Sequence, residues 1–222
     1  MKKLLITVYV LIGSTLAIAQ IDKEKLALDV SKADAANTKQ LMTYTWKRYS
    51  TATVSGQQKA TVVTEFSFNE KGEIQVKQVG GESAEKQKPG VRGKMQENQM
   101  EASADYIGKA LELSLAYTYM TQGQLMDFID KATITEKAGA IEATATDIYV
   151  IGDKLTILID SKTSLFINKK FSSLLDKDPV DGEINYEKFS SGVNHGSTTV
   201  LNMPAQKMKI DAKNQDYSQR VN

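Results

Sequence analysis

The feature that most constrains this chain is a change of period, out of the strand repeat and back again. From Met95 to Met120 the apolar residues recur at helical steps, with Tyr106, Ala110, Leu113, Tyr117 and Met120 spaced alternately by four and three. Ile107, Leu111 and Leu115 widen that stripe beyond a simple amphipathic face. Such a helix, about 26 residues or ~39 Å long, needs apolar cover on more than one side. The chain on either side of it has the two-residue period of strands.

Before the helix, Lys59 to Asn69 sets Ala60, Val62, Thr64, Phe66 and Phe68 on one face, with Thr61, Glu65 and Ser67 on the other. Leu41 to Val54 puts Tyr44 and Trp46 opposite Lys47 and Tyr49, and Ile74 and Val76 alternate with Glu73, Gln75 and Lys77. Ser55-Gly56 and Asn69-Glu70-Lys71-Gly72 mark the turns between these strands. Ahead of them Ile21 to Gln40 reads as a helix, with Leu26, Val30 and Ala33 at helical spacing and Asp22 as its cap. Gly80 to Gly93 is a polar linker, and Gln124 to Ala132 a second, shorter helix.

After Thr133 the strand period returns, over 133–138, 140–151, 154–160, 164–175, 183–190, 197–203 and 206–212. Turns are expected at Gly152-Asp153, Asp160 to Thr163, Asp176 to Gly182, and Ser191 to Gly196. Short connections between successive strands imply antiparallel pairing. The expected fold class is α+β: a curved, mainly antiparallel sheet, an incomplete barrel, wrapped around one or two central helices, with an N-terminal helix.

The first residues carry an address. Met1-Lys2-Lys3 is a basic head, Leu4 to Leu16 is mostly apolar, and Ala17-Ile18-Ala19 has the small-x-small pattern that signal peptidase requires. The apolar run is shorter than the ~20 residues that span a bilayer. The expectation is a signal peptide over 1–19, cleaved before Gln20, and a single domain over 20–222, periplasmic or secreted, with no transmembrane span in the mature form. There is no cysteine, which leaves no thiol for a lipid anchor, a disulfide or a metal. Removing Lys2 and Lys3 leaves 26 basic against 27 acidic residues, so no basic field favours nucleic acid.

The hairpin region Lys154 to Ser191 is KLTILIDSKTSLFINKKFSSLLDKDPVDGEINYEKFSS. A hydrophobic strand ends in Ile159-Asp160, Ser161-Lys162-Thr163 turns the chain, and the next strand carries Leu165, Ile167 and Phe171. This resembles the W-I-D-x-x-T-x-L-x-x-K hairpin of the LolA/LolB-like superfamily of periplasmic lipoprotein carriers, which includes RseB-like and LppX-like proteins. Leu158 stands where the tryptophan is usual. The resemblance implies an incomplete barrel plugged by helices, with an apolar cavity between them for a lipid or lipoprotein acyl chain.

Catalytic and metal motifs are sparse. His195 is the only histidine and reads as a loop residue without ligand partners. No G-x-S-x-G elbow, P-loop or G-x-G-x-x-G occurs. In Asp176 to Glu183 the third carboxylate falls at position six and Pro179 at position four, which departs from a calcium loop and suits a long hairpin turn. The cations Lys86, Lys88, Arg92 and Lys94 read as a solvated loop. No enzyme activity, cofactor or metal is expected. The expected cavity walls are Tyr44, Trp46, Phe66 and Phe68 from the sheet and Tyr106, Leu113, Tyr117 and Met120 from the helix. Two functions remain: binding of an apolar ligand, or an envelope protein–protein interaction module with a filled core. A cavity of ~300 Å³ or more separates the first from the second.

Overall fold

The computed structural model describes residues 21–83, 91–189 and 191–220, with side chains described except at 82–83 and 91–101. The expected signal peptide over 1–19 and the cations Lys86 and Lys88 lie outside the described residues, and of Arg92 and Lys94 only the backbone is described.

Helix α1 (Lys23–Leu41) starts where the Asp22 side chain accepts the Lys25 amide, and it buries Leu26, Ala27 and Val30. Three strands follow: β1 (Tyr44–Val54), β2 (Gln57–Phe68) and β3 (Ile74–Ser83). Helix α2 (Val91–Thr118) leads into α3 (Gln122–Lys131), whose start is closed by a reciprocal capping box between Thr121 and Gln124. Seven strands complete the chain: β4 (Thr133–Lys137), β5 (Ala140–Thr146), β6 (Lys154–Asp160), β7 (Phe166–Leu175), β8 (Asp178–Lys188), β9 (Asn194–Met203) and β10 (Met208–Gln219).

All ten strands form one antiparallel sheet in the order β3-β2-β1-β10-β9-β8-β7-β6-β5-β4. The first and last strands pair in its middle, from Tyr44 opposite Gln219 to Val54 opposite Met208. The sheet does not close: β3 and β4 are its two edges, and α2 and α3 carry the chain from one edge to the other. The expected α+β class, open antiparallel sheet and N-terminal helix are the observed ones.

Several boundaries differ from the sequence expectation, each for a local reason. The 140–151 strand stops at Thr146, because Asp153 gathers the amides of Ile148, Tyr149 and Val150 into a loop. The long turn expected at Asp176 to Gly182 is a two-residue turn. Asp176 and Lys177 both have positive φ, 50° and 81°, which matches the right-handed twist of a hairpin, so β8 begins at Asp178. The last strand begins after a short 3-10 turn over Pro204–Gln206 and runs to Gln219, well beyond residue 212, because its polar residues pair with β1. The 80–93 linker is shorter than expected, with β3 reaching Ser83 and α2 starting at Val91.

Two apolar clusters result. The larger joins α1, α2 and α3 to the inward residues of the β5–β10 side, including Leu155, Ile157, Phe171, Ile184 and Leu201. The smaller gathers Leu41, Trp46, Phe66, Phe68 and Val193. Within it Trp46 is stacked between Phe66 and Tyr217, at centroid distances of 5.7 and 5.6 Å.

Candidate functional site

Helix α2 does not lie evenly on the sheet. Its C-terminal part packs on β7, β8 and β9. There the Tyr117 ring stacks on Phe171 at 4.0 Å and 7°. Towards β1, β2 and β3 it stands off and leaves a groove of about 950 Å³. One wall is the α2 face that carries Ala104, Ile107, Gly108, Leu111 and Leu115, with Tyr119 just beyond the helix end. The other is Arg48 and Val54 of β1, Ala60, Val62, Thr64 and Phe66 of β2, Ile74 and Val76 of β3, and Met208 of β10. Lys59, Gln78, Ser103, Glu112 and Ala116 complete the lining.

Residue size explains the hollow. Ala104 and Gly108 lie one helical turn apart on the groove face, and small Ala60 and Thr64 are among the sheet residues of the other wall. A Cβ placed on Gly108 would meet nothing within 4 Å. On the β7–β9 side Phe171, Ile184 and Leu201 fill the corresponding space. The groove therefore runs between the two clusters, touching Ile107 and Met208 of the larger and Phe66 and Tyr119 of the smaller.

Polar groups fix the helix end beside it. Lys169 of β7 is fully buried, and its ammonium donates to the carbonyls of Tyr117 (3.1 Å) and Thr118 (3.0 Å). The Tyr186 hydroxyl also donates to Thr118 O, at 3.2 Å. Together they satisfy carbonyls that a helix end leaves open, with a cation at the negative end of the helix dipole. Burial pulls the Lys169 pKa down to about 8, with Asp34 opposing.

This arrangement has a pH signature. Between about pH 8 and 10.5 the unfolded chain binds the Lys169 proton and the folded chain does not, so stability rises with pH in that window. The full span is on the order of 3 kcal/mol. Burial pushes Tyr119 and Tyr149 up to about 12, so above pH 10 the unfolded state ionises first and stability falls. Urea unfolding from pH 7 to 11 is expected to show this rise and fall. Lys169→Met is expected to flatten the rising limb alone, and an unchanged rising limb in that variant would remove the assignment.

Each expected cavity residue has a definite place. Phe66 lines the groove. Trp46 and Phe68 are buried in the smaller cluster, with Tyr44 against it, tilted on Phe189 at 5.4 Å. Tyr117 and Met120 are buried in the larger cluster, against which Tyr106 and Leu113 pack. The Tyr106 hydroxyl reaches Asp178 at 3.3 Å, and that of Tyr117 donates to Asp153 at 2.7 Å. The groove face of α2 is thus offset from the stripe of large residues at positions 106, 113, 117 and 120. His195 is not in a loop: it lies in β9, buried, its ring stacked on Phe189 at 4.2 Å and its Nδ1 2.8 Å from the Tyr217 hydroxyl. Burial holds its pKa below the ordinary histidine value. Asp178 to Glu183 form strand, so their side chains alternate faces and do not converge as a calcium loop requires. Among the described residues no three acidic or histidine side chains cluster as metal ligands, and no helix is long and apolar enough to cross a membrane.

No protein-family model and no curated protein matches the chain. Solved structures align with most of this chain at low identity. A DUF1329 family protein from Desulfovibrio piger is 9% identical, over 90% of this chain and 95% of its own, at a TM-score of 0.44. A LolA superfamily protein from Nitrosomonas europaea is 7% identical, over 91% of this chain and 96% of its own, at 0.37. A candidate outer membrane lipoprotein-sorting protein domain from Vibrio parahaemolyticus is 9% identical, over 90% of this chain and 94% of its own, at 0.41. The likeness is one of fold, and distant.

Proposed function

We propose that this protein is a non-enzymatic binder of an apolar ligand, a lipid or an acyl chain, held in the groove between α2 and strands β1, β2 and β3. The observation that carries the reading is the groove itself. Its ~950 Å³ exceeds what separates a ligand site from a filled interior, and it falls within the range of small-molecule sites. Its walls are chiefly aliphatic and aromatic. The basic head, apolar run and Ala17-Ile18-Ala19 pattern support export and cleavage before Gln20, hence action in the bacterial envelope. The resemblance of the Lys154–Ser191 hairpin to lipoprotein carriers agrees with such a ligand.

Affinity in such a site comes from apolar burial, up to ~0.8 kcal/mol per enclosed methylene. Alkyl probes are therefore expected to bind more tightly with length, by up to about 15-fold per two methylenes, until the groove is full. Gly108→Leu provides the matching block. The position is open and helical, so leucine is expected to keep the fold and raise helix stability by about 0.5–1 kcal/mol. It would occupy the groove and weaken a fluorescent fatty-acid probe at least tenfold. A clean ligand-free mass for protein taken gently from its source, with no probe binding by the purified chain, would overturn the reading.

A further inference from the structure

The groove has one feature that an apolar chain does not use. Arg48 lines it, yet is only 2% exposed. Its Nε donates to Asn214 Oδ1 at 3.0 Å, and its guanidinium lies 4.8 Å from the Phe66 ring centroid. Neither Nη1 nor Nη2 has a hydrogen-bond partner among the described residues. The titratable groups that act on it are the phenols of Tyr119, Tyr217 and Tyr186, none of them a carboxylate. Two residues along the same strand face, the buried Ser50 hydroxyl is also without a partner among the described residues.

A buried guanidinium with two open nitrogens is costly unless something anionic meets it. The geometry around Arg48 is also fixed. Asn214, which holds Nε, is itself tied by its Nδ2 to the carbonyl of Gly196 at 2.6 Å. The ring of Phe66 holds the guanidinium plane from one side. What remains is a pair of unpartnered, buried N–H groups on a residue that lines the groove, of the kind that receives two oxygens of one carboxylate or phosphate. Tyr119, just beyond the end of α2, lines the same groove.

We infer that the ligand of the groove is an anionic amphiphile, whose carboxylate or phosphate head is received by Nη1 and Nη2 of Arg48 while its alkyl chain lies along α2. This rests on the groove being a ligand site, and it adds the chemistry of the head. The alkyl chain supplies most of the affinity and Arg48 supplies the choice between heads.

The test compares dodecanoate, dodecyl phosphate and dodecanol by calorimetric titration of the full chain, with acetate and inorganic phosphate alone as head-only probes. Native protein is expected to prefer at least one of the two anions over dodecanol by about tenfold or more, the size of a charge-assisted hydrogen-bond pair. The better anion distinguishes a carboxylate from a phosphate head. Arg48→Met is expected to bring that preference to about one. The carboxyl carbon of labelled dodecanoate, followed by NMR, is expected to titrate at lower pH when bound to native protein than when free. Equal binding of dodecanol and both anions by native protein would overturn the inference and leave the groove reading intact. Binding of none of the three alkyl probes would overturn both. Acetate or phosphate binding as tightly as the long-chain anions would replace the amphiphile with a free-anion site. The comparison within native protein does not depend on the variant folding.

Discussion

Replacing Gly182 by alanine is expected to destabilise the protein by about 3 kcal/mol or more, with a fall in melting temperature of ~10 °C. Gly182 of β8 sits directly opposite Phe171 of β7, and the phenyl ring lies across it. A Cβ at this position would overlap Cζ and Cε1 of that ring. The ring has no room to retreat, because its other face is stacked on Tyr117 at 4.0 Å. Tyr117 is in turn held by the edge of Tyr149 at 4.8 Å and by its hydroxyl on Asp153. The methyl group therefore displaces a layered stack, not a flexible side-chain end. Pairing Gly182→Ala with Phe171→Leu is expected to recover part of the loss, since the second change removes the clash that the first creates. Thermal unfolding by circular dichroism reads both, and a single-variant shift below about 2 °C would contradict this account.

The second large effect is expected at Asp153. Its carboxylate is fully buried and accepts from the Tyr117 hydroxyl (2.7 Å) and from the amides of Ile148 (2.6 Å), Tyr149 (2.9 Å) and Val150 (3.3 Å). Asparagine has the same shape, but it turns one acceptor into a donor that faces donors. Asp153→Asn is expected to lose about 3–5 kcal/mol, the range for breaking a buried charge away from its partners. Burial by itself would raise the pKa of this carboxyl, but the Tyr117 hydroxyl and the three amides outweigh it, and the value lies below the ordinary 3.8. Its stabilisation is therefore present above pH 3.8 and is lost as pH falls through the lower, folded-state value. Urea unfolding at pH 7 and at acid pH is expected to show a smaller acid loss in Asp153→Asn than in the native chain. Because Gly182 and Asp153 both act through Tyr117, their substitutions are expected to combine less than additively. Strict additivity would mean that the stack and the loop are independent.

Much of this architecture was legible from alternation. Trp46 marks the inward face of β1, and the two-residue period then places Arg48, Ser50 and Ala52 inward as well, where they are buried. That signal existed for Arg48, but a charge in a strand ordinarily points to water, so alternation and chemistry disagreed there. The groove face of α2 was harder to see. Large apolar residues at steps of three and four identify what a helix buries against a filled layer, as Tyr117 does on Phe171. A hollow is made by small residues, and Ala104 and Gly108 look unremarkable in a sequence until the facing Ala60 is known. The β10 strand outruns its sequence signal because Lys213, Gln215 and Asp216 resemble a polar tail. Its pairing with β1 is a contact between opposite ends of the chain, which local pattern does not encode. His195 was misplaced because the glycines at 192 and 196 imitate a loop, although Gly196 pairs with Tyr186 inside the β8–β9 ladder.

The meeting of β1 and β10 in the middle of the sheet sets an order of events. The β1–β2–β3 hairpins form from neighbouring residues, but their one strand ladder to the other seven strands is to β10, far along the chain. Contacts that distant in the chain close late and slowly. The portion that forms the sheet wall of the groove is therefore synthesised early and locked late. Until β10 has formed, no strand pairing ties the sheet wall of the groove to the rest of the sheet.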